Sequence, residues 1–126
     1  MPYKIMMSIV CIVPLIFSLA FVAIPEFFVL EWYPSAEGLA LEIAITHRYD
    51  MAGMLFMVVC FAFQSRNVEQ VDNQKAILLG AAIAFSAMCA VIISIALFRG
   101  IPLDIPPMIA TGTLAAHSFW SRSKVS

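Results

Sequence analysis

The densest run of side chains able to do chemistry is Thr46-His47-Arg48-Tyr49-Asp50. It puts a base, a fixed cation and a carboxylate close together, a combination that can bind a small polar ligand or move a proton on it. On a helix, His47 and Asp50 share a face with Met51 and Met54, while Arg48 points well away from it. Arg48 and Asp50 therefore do not easily pair within the helix, and each needs another partner or water. Asp50 near a helix start also complements the dipole. Arg99, Asp104 and Glu42 belong at the same level of the molecule. His47, Arg48, Asp50 and Arg99 form the candidate ligand-binding set. The plainer alternative is a solvated or salt-bridged helix start.

Other reactive side chains do not assemble into a motif. His117 stands beside Trp120 and reads as an interfacial histidine bonded to a neighbouring helix. His47 and His117 fall near opposite ends of their helices, too far apart by helix rise to share one haem. Met51, Met54 and Met57 are three apart and read as packing rather than thioether ligation. Cys11, Cys60 and Cys89 are odd in number, lie in separate apolar runs and form no CxxC, which argues against a disulfide framework or a zinc site. No nucleophile has a base near it, and no glycine-rich phosphate loop is present. No catalytic residue, metal ligand or cofactor is assigned.

The elements that must position these residues are set by composition. The chain has 126 residues, 63% hydrophobic and 12% charged. Soluble domains sit near about 45–50% apolar and about 25% charged, and a soluble chain this apolar would expose large greasy patches. The net charge is −1 and the basic residues are scattered, so nothing points to nucleic acid. The length fits one domain.

Four apolar runs predict an all-α integral membrane four-helix bundle, with helices over about 3–24, 45–64, 75–98 and 106–121. A spanning helix needs about 20 residues. The first three runs meet that, and the fourth is short enough to need local thinning or a protein-covered end. The first run is expected to be a retained span rather than a cleaved leader. Cys11 follows Val10, which does not suit lipoprotein processing. Pro14 predicts a kink. No charge lies in the middle of a run, which argues against a proton-coupled transporter or a charge-lined channel. The stretch 25–44, with Phe27, Phe28, Trp32 and Tyr33 among Glu26 and Glu31, reads as an interfacial loop that turns helical from about Ser35.

Orientation follows the Lys and Arg bias of short loops. Lys4, Arg66, Lys75, Arg122 and Lys124 fall on one side, Arg48 and Arg99 on the other. Both termini are therefore expected in the cytoplasm, with the carboxylates around 26–50 and at 104 outside. The polar 64–75 connection predicts a hairpin of the second and third helices. Ala82, Ser86, Ala90 and Ser94, four apart, face Gly112 and Ala116 as a small-residue contact between the third and fourth helices, with the third central. The same faces could serve a homo-oligomer or a partner membrane protein.

Pro25-Glu26 at the end of the first run, Arg48 followed by Gly53, and the turn Gly100-Ile101-Pro102 resemble the pattern of short bacterial four-helix membrane proteins grouped only as a domain of unknown function. The resemblance covers most of the chain, although the arginine that this group carries in the body of its third helix is replaced here by Ser86, Cys89 and Ser94. A looser likeness to DoxX-type proteins extends to the helical plan. The resemblance implies a bacterial inner-membrane location and no particular activity. The glutathione-conjugating four-helix family carries Glu-x-x-Arg-x-x-x-Asn in its second helix, and no such pattern surrounds Arg48. The leading expectation is a non-enzymatic accessory or interaction subunit. The runner-up is a binder or carrier of a small or lipophilic molecule at the His47–Arg99 level, and an intramembrane enzyme comes third.

Overall fold

A proline just past a helix end both stops the first helix and starts the next one. In the computed structural model, which describes residues 2–100 and 102–126, α1 runs Tyr3–Ala23 and α2 runs Pro25–Trp32. Ile24 between them leaves the helical region at φ −138°, ψ 54°, as a residue before proline is pushed to do. Pro25 then occupies the first position of α2, where its missing N–H costs nothing. The interfacial stretch 25–44 is thus not a loop. It is this short helix, a brief turn, and the start of a long one, α3 (Gly38–Ser65). The helical start expected near Ser35 falls at Gly38, seven residues ahead of the apolar run that begins near 45, because the outer turns of α3 are too polar to extend that run.

The remaining helices are α4 (Val71–Arg99) and α5 (Ile105–Arg122). Gly100 ends α4 at φ 62°, the left-handed position that glycine takes without a Cβ clash. Pro106 and Pro107 sit in the first turn of α5. The described residues are all helix and connection, without strands. Three helices, α1, α3 and α4, are long and apolar enough to cross a membrane. At 1.5 Å per residue, α3 and α4 reach roughly 42 Å, longer than a hydrocarbon core of about 30 Å. Either helix is thus long enough to cross such a core with room for tilt.

Helix α1 packs along α3, α4 packs along α5, and the two pairs meet through α1 and α5, with α2 laid over α3 and α1. The second-to-third helix hairpin expected from the short connection is therefore not a packed pair. Helices α3 and α4 follow one another, yet each gives its buried face to a different partner. Nor is α4 central; α1 and α5 hold the middle, and α4 lies at a flank.

Helix α1 reaches α3 through three side chains on one stripe. The Tyr3 hydroxyl donates to the Ser65 carbonyl at 2.7 Å, the Cys11 thiol approaches the Val59 carbonyl at 3.7 Å, and the Ser18 hydroxyl donates to the Ala52 carbonyl at 2.8 Å. Rising numbers on α1 meet falling numbers on α3, so the pair is antiparallel. Hydroxyls bonded across a helix contact are a common glue where lipid supplies no hydrophobic drive between helices. Pro14 is buried in the same stripe.

At the end of the bundle that carries both termini, Tyr3, Met6, Met7 and Val10 meet Ala62, Leu78 and Leu114 in one apolar cluster. This is where all four long helices converge. Outside it, Leu97 and Phe98 are 75% and 85% exposed. Such exposure would drive aggregation in water and costs nothing in lipid.

The small-residue row on α4 is displaced from the contact it was expected to make. Ala82 is fully buried, but Ser86, Ala90 and Ser94 are exposed, and the Ser94 hydroxyl turns back to the Ala90 carbonyl at 2.7 Å. The buried seam runs instead through Leu78, Ala82, Phe85, Cys89, Ile92 and Ala96. The reason is geometric. A row of every fourth residue drifts about 40° per step on a helix of 3.6 residues per turn, whereas alternating steps of three and four stay on one side. On α5, Gly112 does lie at the contact, where a Cβ would meet the Cys89 sulfur at 3.7 Å. Ala116 is exposed.

Candidate functional site

Helix α2 folds back over the end of the bundle remote from the termini, and what it covers is Arg48. That side chain is only 6% exposed. Its Nη2 donates to the Phe28 carbonyl of α2 at 3.2 Å, and its Nη1 points at the Met51 sulfur at 3.7 Å. The guanidinium lies 5.4 Å from the Phe21 ring centroid and 5.1 Å from that of Trp32. Each ring face offers a cation a negative quadrupole. Phe21 in turn meets Phe28 edge to face at 4.9 Å, and Phe28 meets Phe27 at 5.5 Å, so α2 is fastened by rings around a buried charge.

Arginine carries five N–H donors. Two have acceptors here, and no carboxylate among the described residues comes close enough to form an ion pair with it. The acidic groups stand one step back. Asp104, Glu31 and the phenol of Tyr33 all act on Arg48 through charge. Asp104 closes the α4–α5 connection and is half-buried. It sits where a side-chain cap for α5 would be, but makes no capping bond. Burial pushes its carboxyl up to about 6; Glu31 adds to the rise and Arg48 opposes it. The far end of the molecule thus holds one enclosed cation facing two carboxylates, one of them in a seat that favours its neutral form.

The four residues of the candidate ligand set are not brought together. Arg48 points away from the His47–Asp50 face and is buried, with the Phe28 carbonyl of α2 as a partner. His47 and Asp50 face outward with Leu39, Glu42, Ile43 and Thr46 along a shallow depression on α3. Arg99 is exposed at the end of α4. The residues that complete the Arg48 environment, Phe21, Phe28, Trp32, Glu31 and Asp104, lie far from it in sequence. Only the level of Asp104 was legible, together with the need of Arg48 for a partner off its own face. His117 bonds within its own helix, Nδ1 to the Thr113 carbonyl at 2.9 Å, with Trp120 edge-on at 6.5 Å. Among the described residues no three His, Cys, Asp or Glu side chains converge as a metal site.

A second shallow groove runs between α4 and α5. Ser86, Cys89, Ala90 and Ile93 line one wall, and Gly112, Ala115, Ala116 and Phe119 the other. The displaced small row therefore borders a furrow open to the outside. No family model matches the chain, and no curated protein or solved structure is significantly similar to it.

Proposed function

We propose that this protein is a non-enzymatic accessory or interaction subunit of a bacterial inner membrane. It crosses four times, with α5 as the short fourth span and both termini in the cytoplasm. The observation that carries this reading is the α4–α5 furrow. A flank helix exposes Ser86 and Ala90 beside Gly112 and Ala116, and small residues let a further helix approach closely, where lipid-facing hydroxyls can bond across the contact. Antiparallel packing of α5 on α4 over its length supports the fourth span. The five cations at the end bearing the termini, against two at the other, support the orientation. The resemblance of Pro25-Glu26, Arg48 and Gly53 to short bacterial four-helix proteins supports the choice of membrane.

Native mass spectrometry after extraction in mild detergent tests the reading. A homo-oligomer or a complex with another membrane protein is the expected result. Replacing the exposed Ala90 and Ala116 with Leu fills the furrow and should dissociate that assembly while leaving helix content unchanged. A lone monomer under cross-linking and gentle extraction, with no partner, overturns it.

A further inference from the structure

Each of the four long helices brings a cation to the end that carries the termini. Lys4 is in the first turn of α1, and Arg66 directly follows α3. Lys75 is in the second turn of α4, Arg122 closes α5, and Lys124 lies just beyond it. Tertiary contacts hold these positions at one level. The Tyr3 hydroxyl bonds the Ser65 carbonyl, which joins the immediate neighbours of Lys4 and Arg66. Leu78, three residues from Lys75, is in the shared apolar cluster, and Val68 and Val125 pack against it. Among the described residues none of the five cations pairs with a carboxylate, although Glu69 and Asp72 are exposed at the same end. The α3–α4 connection is tied by amides instead. Asn73 donates to the Gln70 side chain at 2.6 Å, and Gln74 to the Val68 carbonyl at 2.8 Å.

We infer that this end of the bundle binds the headgroups of anionic phospholipids in the leaflet it meets, through Lys4, Arg66, Lys75, Arg122 and Lys124. The cations stand where headgroups stand, each within about four residues of the end of an apolar run, or about 6 Å by helix rise. Phe63 and Trp120 are half-exposed at the same level, as rings at a membrane interface are. The Arg66 guanidinium lies 4.5 Å from the Phe63 ring centroid, a cation–π contact that leaves its N–H donors free. A lipid phosphate offers the paired oxygens that a guanidinium fits bidentately and an ammonium meets as a point charge. The cations come from all four long helices rather than from one stripe, which suits a surrounding layer of lipids better than a single soluble acidic partner. The opposite end has only Arg48, which is buried, and Arg99, against the carboxylates of 26–50 and Asp104. The preference is therefore one-sided. Such binding rests on the reading that the bundle spans a membrane, and it is independent of which side the termini face and of any protein partner.

Native mass spectrometry of the full chain in mild detergent, titrated with phosphatidylglycerol and with phosphatidylcholine of the same acyl chains, tests this. Phosphatidylglycerol should bind more tightly, and the preference should shrink as ionic strength rises. Arg66→Gln with Lys75→Gln, and Arg122→Gln with Lys124→Gln, should each reduce the preference, by up to about fivefold per cation removed. Arg99→Gln, at the other end, should leave it unchanged. Equal affinity for the two lipids overturns the inference, as does a preference that survives all four substitutions at the terminal end. Displacement of the bound lipid by inorganic phosphate at matched ionic strength overturns the lipid as occupant. The lipid comparison and the phosphate competition need no variant, so they decide even where a substitution disturbs folding. The same spectra count subunits: a lone monomer that retains phosphatidylglycerol would end the accessory-subunit reading and support this one.

Discussion

The two ends of this bundle are held by different physics. At the end bearing the termini, four helices converge on Met6, Met7, Leu78 and Leu114, and the Tyr3 hydroxyl closes on the Ser65 carbonyl. At the far end, α1, α2 and α3 gather around a cation, a backbone carbonyl and aromatic rings, and the α4–α5 pair is coupled to them through charge. Close packing is insensitive to pH and severe toward lost volume. A charge set among rings, with a half-buried Asp104 and an exposed Glu31 in its field, tolerates small changes of volume but not loss of the charge. Close packing and a buried charge thus hold opposite ends of one short membrane protein.

Leu78→Ala should break the terminal end most strongly. Leu78 is fully buried, and truncation of such a leucine costs about 2–5 kcal/mol through the cavity it leaves. Reversible unfolding in mixed micelles measures it, and a loss below about 1 kcal/mol would mean that this cluster is not the anchor. Arg48→Met tests the far end with a side chain of similar length. It removes the one influence that lowers the Asp104 pKa, so that value should move up from about 6. A carboxyl-carbon NMR titration reads it; a downward move would contradict the charge arrangement described.

Ser18→Ala deletes the 2.8 Å bond to the Ala52 carbonyl. In membrane bundles such bonds contribute about 0.6 kcal/mol on average, and the same unfolding assay should report a loss of that order. Ser118→Ala should have the smallest effect, with no loss or a slight gain. The Ser118 hydroxyl is buried with no hydrogen-bond partner, and removing an unsatisfied polar atom costs nothing in bonding. A clear destabilisation would reveal a buried water or another unseen partner there.

Arg48 shows how far a sequence can be read. That it must leave the His47–Asp50 face follows from helical spacing alone. That its partner is the Phe28 carbonyl, twenty positions back, depends on α2 being a helix that folds over α3. The length, the apolar runs and the proline and glycine punctuation were enough for the four long helices but not for α2, because each such signal is a local property of a few neighbouring residues. The α4 seam was misjudged for the opposite reason. Ala82, Ser86, Ala90 and Ser94 form a plausible face in isolation, and only the position of α5 selects Phe85, Cys89 and Ile92 instead.

By itself, then, the sequence determined that the chain is helical and apolar enough for a membrane, where its helices stop, and that Arg48 would stand apart from His47 and Asp50. The tertiary structure alone decided that α4 lies at a flank, that α2 covers Arg48, and that Asp104 and Glu31 share its field. Those are relations between helices, and in lipid they are settled by which surfaces fit closest, since no hydrophobic gradient between one apolar face and another is written into the residues one at a time.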